Sequence, residues 1–209
     1  MEFVYCDGGR SNYFKASNVG DCVTRAICNA TGKDYKEVYD RLKELAKLET
    51  ARQIKKHRGN KRSSVRDGVF KETWKKYLNE IGWKHVATTG IGQVQKVHLS
   101  EDELPNGTLI VQVSRHLTCV KDKVLYDTYD CTRDGSRMVY GYWVAPTEQE
   151  LADLEQYKKE VAEAENKHKS FQEKKKLIRY EYYKKISKLK RDIARLERER
   201  DIAISNVRG

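Results

Sequence analysis

A cysteine at the predicted start of a helix is the residue of this sequence best suited to nucleophilic chemistry. Cys22 follows the turn-forming stretch 18–21 and opens an apolar helical pattern that ends at Thr31 and Gly32. Free backbone amides and the positive end of the helix dipole favour a thiolate at that position. Because a thiolate attacks carbonyl carbon, Cys22 is the candidate nucleophile. The alternative is a small apolar side chain packed beneath the helix, where free cysteines are common.

A histidine and an aspartate on neighbouring predicted strands form the second part of the candidate site. His116 opens one strand, and the next strand covers residues 124–129. If a two-residue turn joins them, Asp127 is the diagonal neighbour of His116 on the same sheet face, whereas a three-residue loop gives that place to Asp130. An aspartate beside an imidazole stabilises its protonated form, and the imidazole can convert a nearby thiol to a thiolate. Without Cys22, the same residues would be interpreted as a strand-end histidine and turn-forming aspartates.

Helical patterns precede strand patterns along the chain. Apolar residues recur with a helical period first, and strand-like segments follow, at 83–88, 108–113, 116–120, 124–129 and 137–144. This order predicts an α+β domain with N-terminal helices packed on a C-terminal antiparallel sheet. Residues 1–18 are interpreted as an extended segment that leads to Cys22. All glycines except Gly209 precede residue 147, so this domain is predicted to cover residues 1–146.

The order of the candidate residues resembles that of the papain-like cysteine peptidase superfamily. A cysteine opens the first helix, a histidine opens a late strand, and an acid follows on the next strand. The short hairpin is more similar to compact bacterial and phage members, such as bacteriocin-processing double-glycine peptidases, than to papain. The resemblance covers residues 15–145 and implies a papain-like fold that hydrolyses peptide or isopeptide bonds with a Cys22, His116 and Asp127 triad. It is carried by Gly20-Asp21-Cys22-Val23-Thr24-Arg25-Ala26, His116-Leu117-Thr118 and Asp127-Thr128-Tyr129-Asp130-Cys131.

The oxyanion donor departs from the pattern of that superfamily. Papain-like enzymes place a glutamine shortly before the cysteine, and the corresponding position here is Ala16. Asn18 has the same amide chemistry, and the backbone amide of Cys22 is the other candidate donor. Loss of one such donor can cost about 10²–10³ in rate. A binding-only relative is therefore the alternative to an active enzyme.

The charge of the chain is strongly positive and unevenly distributed. Its 42 Lys and Arg residues against 31 Asp and Glu residues give a net charge of +11, which concerns partners rather than fold. The segment 52–76 holds most of the excess and includes a predicted surface loop over 55–67. The candidate contacts for nucleic acid or another acidic partner are Lys55, Lys56, Arg58, Lys61, Arg62 and Arg66.

A long helix is predicted to follow the first domain. Thr147 and Glu150 form a capping box, and no proline or glycine interrupts the sequence before Gly209. About 60 residues at 1.5 Å each would give a helix of roughly 90 Å. Apolar residues spaced by seven predict an imperfect coiled coil over 147–209, with breaks in its seam at His168, Lys175 and Arg200.

Three arrangements of this helix, and one alternative, fit the pattern. The helix pairs with a second copy of the chain, folds back as a hairpin around residues 166–170, or docks on a partner helix. The alternative is a single solvated helix held by pairs of Glu and Lys.

Cysteine usage and hydropathy indicate a soluble chain made in a cytoplasm, the host cytoplasm if the protein is phage-encoded. Five cysteines without Cys-x-x-Cys spacing indicate reduced thiols rather than a metal or redox motif, so no metal or cofactor is expected. No apolar run reaches the roughly 20 residues of a membrane span, and the N-terminus lacks the features of a signal peptide.

Two classes of function are consistent with these patterns. The first is a thiol hydrolase acting on a protein or peptide substrate. The second is a nucleic-acid-binding or phage assembly protein that uses the basic loop and the coiled coil on an inactive papain-like scaffold. Salt distinguishes them, because binding to phosphates weakens steeply as salt rises and acyl transfer does not.

Overall fold

The structure is a computed structural model that describes residues 1–15, 19–55, 63–89 and 96–207, with only the backbone described for 52–55 and 200–207. Four helices and six strands make up its regular structure, together with a 3-10 turn at Arg10–Asn12. In chain order these elements are β1 (Glu2–Tyr5), α1 (Cys22–Thr31), α2 (Tyr35–Lys55), α3 (Lys71–Glu80), β2 (Lys84–Ala87), β3 (Thr108–Val113), β4 (His116–Lys121), β5 (Val124–Asp127), β6 (Val139–Val144) and α4 (Glu148–Val207).

The six strands form one mixed sheet with the order β1-β5-β4-β3-β6-β2. Neighbouring strands are antiparallel except β1 and β5, which are parallel. The α+β class is as expected, but the prediction of a purely antiparallel sheet is wrong. Of the segment predicted to be extended, residues 2–5 form a strand, residues 10–12 form a 3-10 turn, and residues 16–18 lie outside the described residues. A four-residue edge strand such as β1 has too few residues for its alternation to indicate a partner, and parallel pairing leaves no hairpin turn in the sequence.

The sheet is covered on both faces, and its strands alternate accordingly. On one face, Ile110, Leu117 and Trp143 pack against buried residues of α1, α2 and α3. On the other face, Leu109, Val111 and further strand residues pack against loop residues such as Leu99 and Leu104. Burial of successive residues on opposite faces fixes the register of these central strands. The first turn of α1, which begins at Cys22, lies on the face of the sheet that the helices cover.

The hairpin between β4 and β5 has the register that the two-residue turn predicts. Asp122 and Lys123 have φ values of 44° and 71°, as both central residues of a type I′ turn require. Lys121 pairs with Val124, and the pairing continues to Cys119 and Tyr126. His116 and Asp127 are therefore diagonal neighbours, as the two-residue turn requires.

The ends of the helices follow local chemistry. Gly32, in the left-handed conformation with φ of 70°, ends α1 as predicted. The Asp34 carboxylate accepts the amides of Lys36 and Glu37 at 2.8 and 3.1 Å, which starts α2. This helix continues to Lys55, because no glycine or proline interrupts the helix-forming residues of that segment.

α4 begins where its capping box predicts and runs without a break through residues 166–170. Thr147 and Glu150 exchange the reciprocal hydrogen bonds of that box at 3.0 and 3.3 Å. The fold-back hairpin is therefore wrong, whereas the coiled coil stays a prediction. The chain divides into two compact units, residues 1–151 and 152–209. Among the described residues, no helix has both the length and the apolar character needed to cross a membrane.

Candidate active site

Three elements bring Cys22, His116 and Asp127 together. Cys22 is the first residue of α1, His116 the first of β4, and Asp127 the last of β5. The Nε2 atom of His116 lies 2.6 Å from Oδ2 of Asp127, and His116 and Cys22 lie together in the wall of one cleft. The side chains of His116 and Asp127 are only 7% and 4% exposed. The interaction is therefore shielded from water, which strengthens it.

The surroundings of Cys22 favour its thiolate. Burial alone would raise the pKa of this thiol, but the hydrogen bond and charge of His116, the backbone amide of Leu117 and the charge of Arg25 together lower the pKa. The helix N-terminus acts in the same direction. By contrast, burial raises the pKa of Cys28 and of Cys119 to about 12. Of these three thiols, Cys22 is the one whose surroundings lower its pKa.

The imidazole and the carboxylate stabilise each other as an ion pair. Burial alone would lower the pKa of His116, but its hydrogen bonds to Asp127, Cys131 and Cys22 raise the pKa well above its ordinary value. Burial alone would raise the pKa of Asp127, and the hydrogen bond to His116 makes the largest contribution to lowering it instead. His116 therefore holds its proton when Cys22 is ionised, which is the state that an attacking thiolate needs.

Arg25 joins the two carboxylates of the site, a role that the sequence analysis missed. Its Nη1 donates to Oδ1 of Asp127 at 3.0 Å, and its Nε donates to Oδ1 of Asp21 at 2.9 Å. The same Asp127 oxygen accepts the backbone amide of Thr128 at 2.7 Å. With one oxygen held by Arg25 and Thr128, Asp127 presents the other to His116 in a fixed orientation.

Asp21 connects this site to the hydrophobic core beneath it. Its Oδ2 accepts a hydrogen bond from the Tyr35 hydroxyl at 2.6 Å and lies 2.9 Å from Nε of Arg10. Arg10, Arg25, Asp21 and Asp127 are all buried, so two guanidinium groups balance two carboxylates. The available sequence signal was the spacing of Asp21 and Arg25, which places them on one face of α1.

Asp130, the alternative third residue, lies in a turn of its own. Its Oδ1 accepts the backbone amide and the hydroxyl of Thr132 at 2.9 and 2.7 Å. The two-residue β4–β5 turn leaves Asp127 as the carboxylate that is hydrogen-bonded to His116.

Most of the other candidate residues fall outside the described part of the chain, namely Asn18, Lys56, Arg58, Lys61 and Arg62. For Lys55, the last residue of α2, only the backbone is described. Arg66 is exposed, and its carbonyl accepts the amide of Gly20 at 2.6 Å. The amide of Cys22, as the first in α1, has no carbonyl partner within the helix and can serve a substrate.

A cleft of about 290 Å³ opens beside the candidate nucleophile. Cys22 and His116 lie in its wall, and Trp74 and Leu117 add apolar surface. The turn at 64–68 forms another wall. A Cβ at Gly20 would lie only 3.2 Å from the Arg66 carbonyl oxygen, so glycine permits this close approach.

Gln112 is a polar residue in this cleft that the sequence analysis did not single out. It lies on β3 opposite Leu117 of β4, and a β-bulge follows it, before Val113. Its Oε1 is buried and has no hydrogen-bond partner among the described residues. Leaving a buried polar group unpaired costs about 1–3 kcal/mol, and β-bulges often re-aim side chains next to active sites. The sequence signal was one glutamine in an otherwise apolar strand.

A metal centre is the other arrangement that this cluster of side chains suggests. His116, Asp127 and Cys131 offer ligand atoms within 4.8 Å of one another, a donor set that transition metals accept. A cation bound there would replace the 2.6 Å hydrogen bond between His116 and Asp127 and would face the Arg25 guanidinium, 3.0 Å from that carboxylate. The geometry favours a hydrogen-bonded Asp and His pair.

Comparison with known proteins adds no relative to this picture. No protein-family model, curated protein or solved structure matches the chain.

Proposed function

We propose that this chain is a cysteine-dependent hydrolase of peptide or isopeptide bonds, built on a papain-like domain of the compact phage and bacterial type. Cys22 is the nucleophile, His116 the general acid and base, and Asp127 the residue that orients His116. The observation that carries this proposal is the imidazole that lies 2.6 Å from a buried carboxylate and lines one cleft with a thiol at the start of a helix, whose pKa it lowers.

The reaction proceeds in two acyl-transfer steps. Cys22 gives its proton to His116 and attacks the carbonyl carbon, whose electrons move to oxygen. When the carbonyl reforms, the carbon–nitrogen bond breaks, and His116 returns the proton to the leaving amine. A thioester on Cys22 remains. His116 then takes a proton from water, and the hydroxide attacks the thioester carbon. The carbon–sulfur bond breaks to release a carboxylic acid, and His116 returns its proton to the Cys22 sulfur.

The negative oxygen formed in each step needs hydrogen-bond donors. The backbone amide of Cys22 is unused within α1 and is the first donor. Gln112 also lines the cleft; its side-chain amide N–H group is the second proposed donor, and its unpaired Oε1 can accept an N–H group of the substrate. The proposed substrate is thus an extended peptide whose carbonyl lies between Cys22 and these groups.

The proposal predicts a covalent acyl-enzyme on Cys22. The full chain mixed with an activated p-nitrophenyl ester should release about one equivalent of p-nitrophenol in a burst, followed by slower turnover. Peptide mass spectrometry should locate the acyl group on Cys22, and a Cys22→Ser variant should show no burst. Cys6→Ser, at another partly exposed thiol, is the matched control and should behave like the wild type. Acylation spread over several cysteines, or the absence of a burst, would reject the proposal.

Gln112 should show a trade-off between stability and activity. Replacement by methionine removes a buried unpaired amide oxygen while keeping the length of the side chain, so the free energy of unfolding should rise by about 1 kcal/mol. The rate constant for acylation of Cys22 should fall about tenfold, equivalent to one lost hydrogen bond of about 1.4 kcal/mol.

Urea unfolding and ester kinetics measure the two effects of the Gln112→Met change separately. Gln156→Met, on the exposed α4, should change neither. An unchanged acylation rate in Gln112→Met would remove Gln112 from the substrate path.

A further inference from the structure

α4 exposes an apolar stripe that a lone helix would leave in water. Its members recur at alternating spacings of four and three residues, the repeat of a coiled-coil seam. In the structure they are well exposed, with Val161 at 38%, Ile178 at 70% and three aromatic side chains above 60%, Tyr157, Phe171 and Tyr182. Exposed aromatic residues in such a row are typical of a surface that another helix covers.

The charges of α4 are divided between two consecutive segments. Residues 148–166 contain seven acidic and two basic residues, a net charge of −5. Residues 167–191 contain eleven basic and two acidic residues, a net charge of +9. Opposite blocks of this kind specify which partner, and which orientation, the helix can accept.

We propose that α4 pairs with α4 of a second copy of this chain as an antiparallel dimer, with its two-fold axis between Lys169 and Ser170. This arrangement sets the acidic segment of each copy against the basic segment of the other. The same offset aligns Val161 with Ile178 and Tyr157 with Tyr182 across the seam, apolar residue against apolar residue. A parallel dimer in register would instead set the +9 segments against each other.

The offset also improves the weakest positions of the seam. His168, a polar residue, is aligned with Phe171 of the second copy, so that an imidazole meets an aromatic face rather than a second imidazole. Lys175 is aligned with Ala164, which leaves its stem free to extend past a small side chain to water. The paired region covers residues 148–191.

Light scattering and charge reversal on the full chain test the charge complementarity. The wild type should be a dimer at low salt. One variant reverses the acidic segment with Glu160→Lys, Glu163→Lys and Glu165→Lys. The other reverses the basic segment with Lys174→Glu, Lys176→Glu and Arg179→Glu. Each alone should weaken dimerisation about 100-fold, equivalent to about 2.7 kcal/mol, because attractive pairs along the seam become repulsive. An equimolar mixture of the two variants should form heterodimers.

Engineered cysteines test the orientation. A Leu154→Cys chain mixed with a Lys185→Cys chain should form a mixed disulfide under mild oxidation, because the antiparallel offset places these seam positions opposite each other. Leu154→Cys alone should not link to itself. Mass spectrometry of the linked peptides distinguishes these bonds from those of the native cysteines.

Three results would overturn the proposal. They are a monomer at all concentrations, a Leu154→Cys chain linked to itself, and dimerisation that is indifferent to both charge-reversal variants. If the chain is a monomer that binds duplex DNA, and the basic-segment variant loses this binding, residues 167–191 would be a nucleic-acid-binding segment instead. The hydrolase proposal is independent of all these outcomes, since acylation of Cys22 is measured on the same chains.

Discussion

Replacing His116 by alanine should slow the alkylation of Cys22 by iodoacetamide at pH 7 about tenfold or more. Burial by itself raises the pKa of Cys22, and the His116 imidazolium makes the largest contribution to lowering it. Without the imidazolium, the pKa of Cys22 should therefore rise. A thiol with an ordinary pKa of about 8.5 is only about 3% ionised at that pH. Because the pKa of Cys22 is lowered in the intact site, the wild-type rate should persist as the pH falls below the range of ordinary thiols, and the variant rate should not.

The two pH profiles should cross at high pH, which separates this effect from simple loss of access. A thiolate of lower pKa is intrinsically less nucleophilic, with a Brønsted coefficient of about 0.4–0.5. Once both proteins are fully ionised, His116→Ala should therefore react at least as fast as the wild type. Peptide mass spectrometry gives the rate at Cys22 alone. His98→Ala, which removes a partly exposed histidine paired with Glu103, is the matched control and should follow the wild-type profile. A wild-type profile that matches an ordinary thiol would remove the thiolate from the mechanism.

Replacing Arg25 by leucine should destabilise the domain by about 3–5 kcal/mol, the usual cost of breaking a buried ion pair. Arg25 is 9% exposed and contacts Asp21 and Asp127, both of which would be left buried without its charge. Loss of the bond to Asp127 should also free that carboxylate to turn, so that it orients His116 less well. Urea unfolding measures the first effect, and the pH profile of Cys22 alkylation measures the second.

Two further variants keep the Arg25 prediction testable if Arg25→Leu does not fold. Arg25→Lys retains the charge but cannot hold both carboxylates as the planar guanidinium does. It should fold, and its alkylation profile should shift to higher pH. Arg41→Leu is the matched control, because Arg41 bridges Glu44 and Glu80 on the surface and should cost no more than about 1 kcal/mol. Equal costs for Arg25→Leu and Arg41→Leu would show that the buried network does not position the site.

Local chemistry made parts of this site predictable from the sequence. The start of α1, the Asp122 and Lys123 turn and the capping box of α4 each depend on residues within a few positions of one another. Their geometry follows from backbone preferences and short hydrogen bonds. The turn alone fixes the register that brings His116 to Asp127. That these two residues also meet Cys22 was a conjecture from their order, and the sequence itself contains no distance between them.

Features that depend on distant segments were not predictable in the same way. β1 has no hairpin turn to reveal its parallel partner, and Arg10 enters the buried network only because β1 pairs with β5 and the turn after β1 lies against α1. Arg25 was visible as a charge in an apolar helix, but its second carboxylate lies 102 residues away. Gln112 is revealed by an unpaired atom, which only three-dimensional packing can show.

The parallel pairing of β1 with β5 links formation of the site to the order of synthesis. Tyr5 pairs with Asp127, and the amide of Cys6 donates to the Asp127 carbonyl at 2.8 Å. On the ribosome, β1 emerges long before its partner and must wait for more than a hundred further residues before it can pair. Closing so long a loop is slow, because its entropy cost is offset only by contacts that form late in folding. A nascent chain should therefore carry Cys22 as an ordinary thiol, and nucleophilic reactivity should arise only when the domain is nearly complete.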